Sequence, residues 1–231
     1  VVCKPEAEEG VRALAAKLKV ATVETLGVSG DGSLLANAKD APPAAPAMRG
    51  KDDLAAILYT SGTTGRSKGA MLSHDNLLSN AATLKEYWRF TGKDVLLHAL
   101  PIYHTHGLFV AMNVVLLAGA SMIFFGKFDA DEVIRLMPKA TTMMGVPTFY
   151  VRLAVHPKVT RETTGHMRLF ISGSAPLLAE THRAFFEKTG HAILERYGMT
   201  ETNMNTSNPH DGDRIPGTVG FPLPGVLLRI A

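Results

Sequence analysis

Short apolar segments alternate with helical segments between residues 53 and 195. The predicted strands are runs of mainly aliphatic residues at 54–59, 95–100, 120–125, 141–145, 168–171 and 191–195. Helices are predicted between them at 74–90, 106–118, 130–138, 147–153 and 177–189. Apolar strands that alternate with helices are typical of a parallel sheet buried on both faces. We therefore expect an α/β fold, a doubly wound, mostly parallel sheet with helices on both faces and ligands at the carboxyl ends of the strands.

The chain before residue 53 has a different pattern. Residues 6–18 have the apolar spacing of a helix, and residues 20–23 are predicted to form a short strand. Residues 27–50 are rich in Gly, Ala and Pro, which predicts a linker or a surface excursion. We expect no catalytic group in that segment.

Composition and charge narrow the classes of function. Lys and Arg total 24, Asp and Glu total 21, and there is no basic tract, so we expect no nucleic-acid partner. The most apolar stretch, 108–125, is interrupted by Asn113, Gly119 and Ser121, so we expect no membrane span. Cys3 is the only cysteine, which excludes an intrachain disulfide and favours a reducing, cytoplasmic location. The oligomeric state stays open.

A loop rich in Gly, Ser and Thr follows the predicted strand at 54–59. Glycine amides can curl into an anion-binding nest, the hydroxyls add neutral donors, and a lysine adds positive charge, so we expect a phosphate-binding loop. The spacing excludes a Walker A motif, because Ser67 precedes the lysine and Gly69 follows it. The alternative is a flexible surface loop. The candidate residues are Thr60, Ser61, Gly62, Thr63, Thr64, Gly65 and Lys68.

Two further segments follow predicted strands and carry groups that suit a nucleotide. In the segment after the last strand, the Tyr197 ring can stack on adenine, the Thr200 hydroxyl can bind a phosphate, and Glu201 can hold Mg²⁺. The alternative is a polar loop with a solvated glutamate. Gly173 and its small neighbours can let adenine lie against backbone. Residues 172–176 lack the spacing of a nucleophilic serine elbow.

Four blocks in the same order resemble the AMP-forming adenylating enzymes, which include acyl-CoA synthetases, nonribosomal peptide adenylation domains and beetle luciferases. The blocks are residues 59–69, 101–107, 172–176 and 197–202, and the first has Ser67 where the family usually has proline. The resemblance implies that Lys68, Thr200 and Glu201 are catalytic and that Glu201 binds the metal. It also implies a nucleotide site that includes, besides the loop, Gly173, Ser174, Ala175, Tyr197, Gly198 and Thr200.

Within that family, residues 103–107 and 167–175 look most like malonyl-CoA synthetases. This narrower resemblance implies ATP-dependent formation of a CoA thioester, with ATP, Mg²⁺ and coenzyme A as partners of a small carboxylic acid such as malonate. The implied substrate residues are His104, Arg168, Ser172 and Met199, with Arg168 gripping a second carboxylate. The alternative for Arg168 is a strand-end arginine paired with a structural Asp or Glu. We expect His106 to be structural.

The same resemblance predicts the domain organisation. Residues 1–231 match part of an adenylation domain, with the excursion at 27–50, and the small C-terminal domain of the family lies outside them. We therefore expect little or no turnover from this stretch alone. Two other functions stay open: adenylation of a different carboxylic or amino acid, and nucleotide binding without turnover.

Overall fold

The computed structural model describes residues 1–39, 41–60 and 66–230. The chain forms two compact units, Val1–Met48 and a second unit that begins at Arg49. In the first unit, β1 (Val2–Cys3) pairs in parallel with β2 (Glu24–Thr25), α1 (Glu8–Lys17) connects them, and α2 (Ser33–Lys39) follows. The strand predicted at 20–23 is wrong, because the pairing with β1 falls on Glu24 and Thr25 instead.

A seven-stranded sheet organises the second unit, in the order β11-β10-β9-β8-β7-β5-β6. Neighbours from β6 through β9 pair in parallel, and β10 and β11 add antiparallel strands at one edge. The strands are β5 (Val95–His98), β6 (Ser121–Phe124), β7 (Thr142–Gly145), β8 (Leu169–Ser172), β9 (Leu194–Met199), β10 (Asn203–Ser207) and β11 (Phe221–Pro222). The predicted α/β fold with a mostly parallel sheet is confirmed.

Helices cover both faces of this sheet, as predicted. Alternate residues of β8 point to opposite faces, so Phe170 belongs to one apolar cluster while Leu169 and Ile171 belong to the other. The helices on the Phe170 side are α5 (Ala130–Leu136), α6 (Pro147–Val155) and α8 (Ala179–Thr189), with the short α7 (Arg161–Thr164) nearby. The other side is covered by α3 (His74–Tyr87) and α4 (Met112–Ala118).

A separate antiparallel hairpin precedes α3 and carries the ends of the Gly-rich loop. It consists of β3 (Leu54–Thr60) and β4 (Lys68–Ser73). β4 runs directly into α3, whose first turn is closed by a capping box between Ser73 and Asn76. The sequence pattern predicts β3 and the helix cap but not β4. The short alternation of small and apolar residues in β4 lies beside a glycine-rich loop and cannot be distinguished from a continuation of that loop.

One helix and one strand of the second unit also differ from the prediction. The helix predicted at 106–118 begins with a π-helical segment, His106–Ala111, and continues as α4. The last predicted strand, 191–195, lies three to four residues further along as β9, and it returns through a turn at 200–202 into β10. None of the described helices is long and apolar enough to cross a membrane.

Candidate active site

The segments after β5, β8 and β9 meet at the carboxyl ends of the parallel strands. They are residues 99–107, residues 173–178, and the second half of β9 with its turn at 200–202. This is the edge at which open parallel sheets bind ligands. Two adjoining cavities open there, which we call the small pocket and the large pocket.

The small pocket encloses about 150 Å³. Of the predicted site residues, it brings together His104, Ser174, Gly198, Met199 and Thr200. Its other lining residues are Thr105, His106, Arg196 and Met204. The large pocket encloses about 480 Å³. Its lining is formed by Ser174 to Ala179, Glu195 to Gly198, Gly217 and Val219, so that Ser174, Arg196 and Gly198 line both cavities.

Arg196 is the main charged group of the small pocket, and the sequence analysis missed it. Arg196 is the third residue of β9, and only 3% of the residue is exposed. Within the described part of the chain, its Nε and Nη2 atoms have no hydrogen-bond partner. Burial lowers the pKa of Arg196 to about 9. A buried guanidinium without an acceptor is costly, so the pocket is suited to an anion.

A buried histidine lies beside this guanidinium. The Nδ1 atom of His106 is 3.1 Å from the Ser174 hydroxyl, and its Nε2 has no partner among the described residues. Burial, aided by the positive charge of Arg196, holds the pKa of His106 well below its usual value, so the ring is neutral at pH 7. His104 is exposed at the rim, where its Nδ1 accepts a hydrogen bond from the His106 amide at 3.3 Å. The pocket wall therefore includes His106, which we had expected to be only structural.

The loop after β8 shapes the boundary between the two pockets. Ser174 has a positive φ of 72°, a strained backbone conformation that concentrates at functional sites when it occurs outside glycine. Gly173 lies against the Arg196 guanidinium so closely that a Cβ atom would overlap it. Ser172, the last residue of β8, is fully buried and its hydroxyl has no partner among the described residues.

The large pocket contains further predicted nucleotide residues, Ala175 and Tyr197, and the Tyr197 side chain is exposed enough to stack on a flat ring. It also contains Glu195, which the sequence analysis did not single out. One carboxylate oxygen of Glu195 accepts a hydrogen bond from the Leu177 amide at 2.8 Å, and the other has no partner among the described residues. Burial raises the pKa of Glu195.

Glu201 lies exposed in the turn between β9 and β10, next to a cleft of about 300 Å³ against α3. The described residues contain no group of three metal-ligating side chains. A single accessible carboxylate still fits Mg²⁺, which usually binds through one or two carboxylates, several waters and the oxygens of substrate phosphates. The predicted metal ligand thus has suitable chemistry and exposure.

The described ends of the Gly-rich loop are Thr60 and Lys68. They face each other as register partners at the loop end of the β3–β4 hairpin, and both Lys68 and Arg66 are exposed. The predicted phosphate-binding residues between them, Ser61, Gly62, Thr63, Thr64 and Gly65, lie outside the described residues.

Arg168 requires a correction, because the structure does not bring it to the pockets. It directly precedes β8, at the amino end of the sheet, whereas the pockets lie at the carboxyl end. Its Nε and Nη2 atoms contact the two oxygens of Asp94 at 2.6 and 2.9 Å, and its Nη1 donates to the Trp88 carbonyl at 3.1 Å. These bonds satisfy its guanidinium. Arg168 therefore has the structural role that we weighed as the alternative.

The sequence contains a signal that identifies Arg196 instead. Glu195 and Arg196 are adjacent charged residues that directly follow the apolar pair Ile193 and Leu194, inside a strand whose register fits a buried sheet. The argument that a cation in a buried strand needs a partner applies to Arg196 as well as to Arg168. The two arginines differ in their position along the strands: Arg168 precedes the amino end of β8, whereas Arg196 lies inside β9 and lines the pockets.

Comparison with known proteins is consistent with this geometry. The family model for AMP-binding enzymes matches residues 1–231. The chain is 40% identical over 196 residues to the mitochondrial malonate–CoA ligase of Mus musculus, a match that covers 78% of this chain and 34% of that protein. The solved structure of ATP-bound MatB from Rhodopseudomonas palustris is 69% identical, with a TM-score of 0.94, and the match covers 97% of this chain and 45% of that one.

A third match is a malonyl-CoA ligase solved with methylmalonyl-CoA and AMP, at 34% identity and a TM-score of 0.78 over 94% of this chain and 50% of that one. The chain thus spans about a third of the curated relative and at most half of these solved chains. Because the family model covers every residue and the solved relatives share the fold, the chain belongs to the family of AMP-binding enzymes.

Proposed function

We propose that the full-length protein is an AMP-forming acid–CoA ligase whose acid is a small dicarboxylate, with malonate as the best candidate. The observation that supports the choice of acid is the unpartnered, buried guanidinium of Arg196 in the small pocket. A monocarboxylate directs its only charge at ATP, whereas a dicarboxylate has a second charge that needs a buried cation. The names of the relatives, malonate–CoA ligase and malonyl-CoA ligase, agree with this choice.

The size of the small pocket supports the same class of acid. The small pocket has about 150 Å³ of room, compared with about 480 Å³ in the adjoining large pocket. An acid of a few carbons can occupy the small pocket, whereas a long acyl chain needs more room. Arg196, His106 and Ser174 are the donors that would hold the distal carboxylate, while the large pocket takes the adenine ring.

The proposed reaction has two steps. In the first, an oxygen of the proximal carboxylate attacks the α-phosphorus of ATP and an acyl–O–P bond forms. The bond between the α-phosphorus and the oxygen that bridges to the β-phosphorus breaks, and pyrophosphate leaves with that oxygen. In the second, the thiolate of coenzyme A attacks the acyl carbon and AMP leaves, while the thiol proton passes to solvent. The first step needs mainly positioning and charge stabilisation.

This chain's own residues would supply that stabilisation. Lys68 and Thr60 flank the loop proposed to hold the β- and γ-phosphates, and the Thr200 hydroxyl binds the α-phosphate beside the small pocket. Glu201 would hold Mg²⁺ together with water, and the bound ion would neutralise charge on the phosphate oxygens. The neutral His106 ring and the Ser174 hydroxyl orient the acid and do not exchange protons with it.

The test compares Arg196, which lies in β9, with Arg168, which directly precedes the neighbouring strand β8. Arg196→Leu in the full-length protein is expected to lower kcat/KM in pyrophosphate exchange for malonate at least about a hundredfold relative to butyrate, because a desolvated carboxylate loses its cation. Arg168→Leu is the matched control, and we expect it to lower both substrates together. A malonate-to-butyrate ratio that is unchanged in Arg196→Leu contradicts the proposal.

Two alternatives have distinct outcomes in the same assay. Exchange with amino acids only would indicate an amino-acid adenylating enzyme, which needs an acidic group for the amine where this pocket has Arg196. If none of the acids supports exchange, the result would indicate nucleotide binding without turnover.

The cytoplasmic location also stays a proposal, since the relative from Mus musculus is named as mitochondrial.

A further inference from the structure

Helix α3 crosses the sheet next to the turn that carries Thr200 and Glu201, and one of its side chains is bonded to that region. We propose that Asn80 is a positioning residue, which fixes the start of β10 and thereby holds the 200–202 turn in the geometry needed for ATP. Asn80 acts through the backbone and needs no contact with the substrate. This inference rests on the role of the turn in the proposed function.

The contact uses both halves of the Asn80 amide. Its Nδ2 donates to the carbonyl of Met204 at 2.9 Å, and its Oδ1 accepts from the amide of the same residue at 3.2 Å. Such a pair is the pattern that a neighbouring β-strand would supply. β11 pairs only with Thr206 and Ser207, so the Asn80 side chain completes the hydrogen bonding of β10 at Met204, where β11 does not pair.

The backbone at this point is irregular, which explains why it needs an external bond. Asn203 has a positive φ of 54°, and the register of β10 against β9 shifts between Met204 and Thr206. Gly198, the partner of Met204 across the hairpin, lies so close to the Asn203 carbonyl that a Cβ atom would overlap it. A bulge next to an active site commonly sets the direction of neighbouring side chains.

Fixing Met204 has consequences on both sides of the turn. Met204 lines the small pocket, and it lies two residues after Thr202, the last residue of the turn. A second bond supports the same geometry, because the Asn203 side chain donates to the Asn76 carbonyl at 3.4 Å. The first half of α3 is therefore hydrogen-bonded to the segment that follows the turn.

The amino end of α3 leads back to the Gly-rich loop. Lys68 begins β4, β4 leads into α3 without a break, and Asn80 lies in the second turn of the helix. One continuous piece of regular structure thus joins the end of the Gly-rich loop to the 200–202 turn. Residues that must bind opposite ends of one triphosphate need such a fixed spacing, since misplacement by an ångström can reduce a rate by about a hundredfold.

The experiment uses the full-length protein with Asn80→Ala, Asn80→Asp and the control Thr83→Ala, which removes a polar group from the next turn of α3. The first measurement is hydrogen exchange of residues 199–206 against residues 169–172 of β8. Asn80→Ala is expected to speed exchange in 199–206 and to leave β8 unchanged, because the Met204 amide loses its acceptor. Thr83→Ala should change neither segment.

The second measurement is ATP binding by calorimetry without any acid, followed by pyrophosphate exchange. For Asn80→Ala we expect ATP affinity and the exchange kcat to fall about tenfold or more, with the KM for the acid within about twofold of wild type. Asn80→Asp keeps the acceptor and loses the donor, so its values should lie between the two. If Asn80→Ala does not fold, Asn80→Asp decides on the same measurements.

The outcomes separate this inference from the proposed function. Faster exchange in 199–206 with unchanged ATP affinity, or equal loosening of 199–206 and β8, would mean that Asn80 serves only stability and would overturn the inference. Unchanged exchange in both segments would overturn it too. If none of the acids supports pyrophosphate exchange by the wild type, the proposed function fails, while hydrogen exchange and ATP affinity still decide the role of Asn80.

Discussion

At the scale of single residues, Arg168 and Arg196 belong to neighbouring segments of the main sheet but have opposite environments. Arg168 enters β8 at its amino end and finds Asp94, whereas Arg196 lies within β9 near the carboxyl end and finds no acceptor among the described residues. Arg168 is neutralised within the fold by its ion pair with Asp94. The unpartnered Arg196 guanidinium makes the small pocket electropositive, at the edge of the sheet where ligands bind.

The Asp94–Arg168 pair predicts a pH-dependent contribution to stability. Burial acts to raise the pKa of Asp94, but the hydrogen bonds from Arg168, the Thr91 amide and the Thr141 hydroxyl outweigh it and hold the pKa below its usual value. Since the folded-state pKa lies below the unfolded one of 3.8, the contribution is present above about pH 4 and is lost as the pH falls through the folded-state pKa.

We therefore expect Asp94→Asn to lower the free energy of unfolding by about 2–3 kcal/mol at pH 7, because the neutral amide leaves the partly exposed Arg168 without a counter-charge. Urea unfolding at pH 7 and pH 3 measures the effect. The difference between wild type and variant should narrow at pH 3. An equal difference at both pH values would show that the lost packing, and not the charge, matters.

The sequence predicts the edge of the sheet at which the candidate site lies, because parallel strands end there. Ser174, Gly198, Met199 and Thr200, which the family resemblance implies as site residues, line the small pocket at that edge, and their roles stay predictions. Sequence reasoning failed for Arg168 because a residue that opens a strand in the sequence lies at the opposite edge of a parallel sheet from one that closes it. His106 was missed because its burial depends on a contact with Ser174, 68 residues away.

At the scale of helices and strands, the π-helical start of the helix at 106–118 determines where His106 points. π-helical turns are rare overall, but those that occur are often found at functional sites. The extra residue per turn rotates the side chains that precede it. Two contacts fix it here. His98 Nε2 is 3.0 Å from the Gly107 carbonyl, and the Gly107 Cα packs against the Pro101 carbonyl. The periodicity of an apolar helix cannot reveal such a turn, because every face of this segment is apolar.

This contact predicts the effect of one methyl group. Gly107→Ala puts a Cβ atom into the Pro101 carbonyl, so the turn must shift and carry His106 away from Ser174. We expect a loss of about 1–3 kcal/mol in unfolding free energy and a larger loss of pyrophosphate exchange than a stability defect explains. Activity per folded molecule, measured well below the melting temperature, separates the two effects. Ala111→Gly, in the same turn, serves as a control for added flexibility.

Three of the strands that sequence reasoning missed share a physical cause. β4, β10 and β11 are antiparallel, short, and mixed in polarity, since they border loops or lie near the edge of the main sheet. Central parallel strands are apolar on both sides and are easy to identify. Edge and hairpin strands depend on pairing with a partner, which the local pattern does not encode.

At the scale of the whole molecule, the proposed site combines groups from two sheets. Lys68 comes from the β3–β4 hairpin, while Thr200 and Glu201 come from the main sheet. Neither sheet carries the full set of proposed phosphate ligands. We therefore expect the proposed activity of the full-length protein to depend on how α3 holds the hairpin, as well as on each side chain.

Lys68→Ala in the full-length protein tests the contribution of the hairpin. We expect a loss of about 1.5–3 kcal/mol in transition-state stabilisation, because a charge-assisted phosphate contact is removed. The measurement is kcat/KM for ATP in pyrophosphate exchange, with Lys85→Ala on α3 as the control for removing one positive charge. Equal values for Lys68→Ala and wild type would argue against the loop assignment.

Glu201→Gln tests the contribution of the main sheet. The neutral amide is a poor Mg²⁺ ligand, so the Mg²⁺ concentration at half-maximal exchange rate should rise several-fold, while the rate at saturating Mg²⁺ falls less. Titration of Mg²⁺ at fixed ATP measures this. Glu180→Gln at the start of α8 is the matched control. An unchanged Mg²⁺ midpoint would mean that Glu201 is a solvated turn carboxylate.

The close packing of Gly173 on Arg196 links two positions that belong to different strands' ends. A Cβ atom at position 173 would occupy the space of the Arg196 guanidinium, so a larger residue there requires the end of that side chain to move. We therefore expect a chain that holds the arginine in this position to keep the glycine, and a chain that lacks the arginine to be free to enlarge residue 173. If Arg196 binds the second carboxylate as proposed, residues 173 and 196 together should differ between relatives that take charged and uncharged acids.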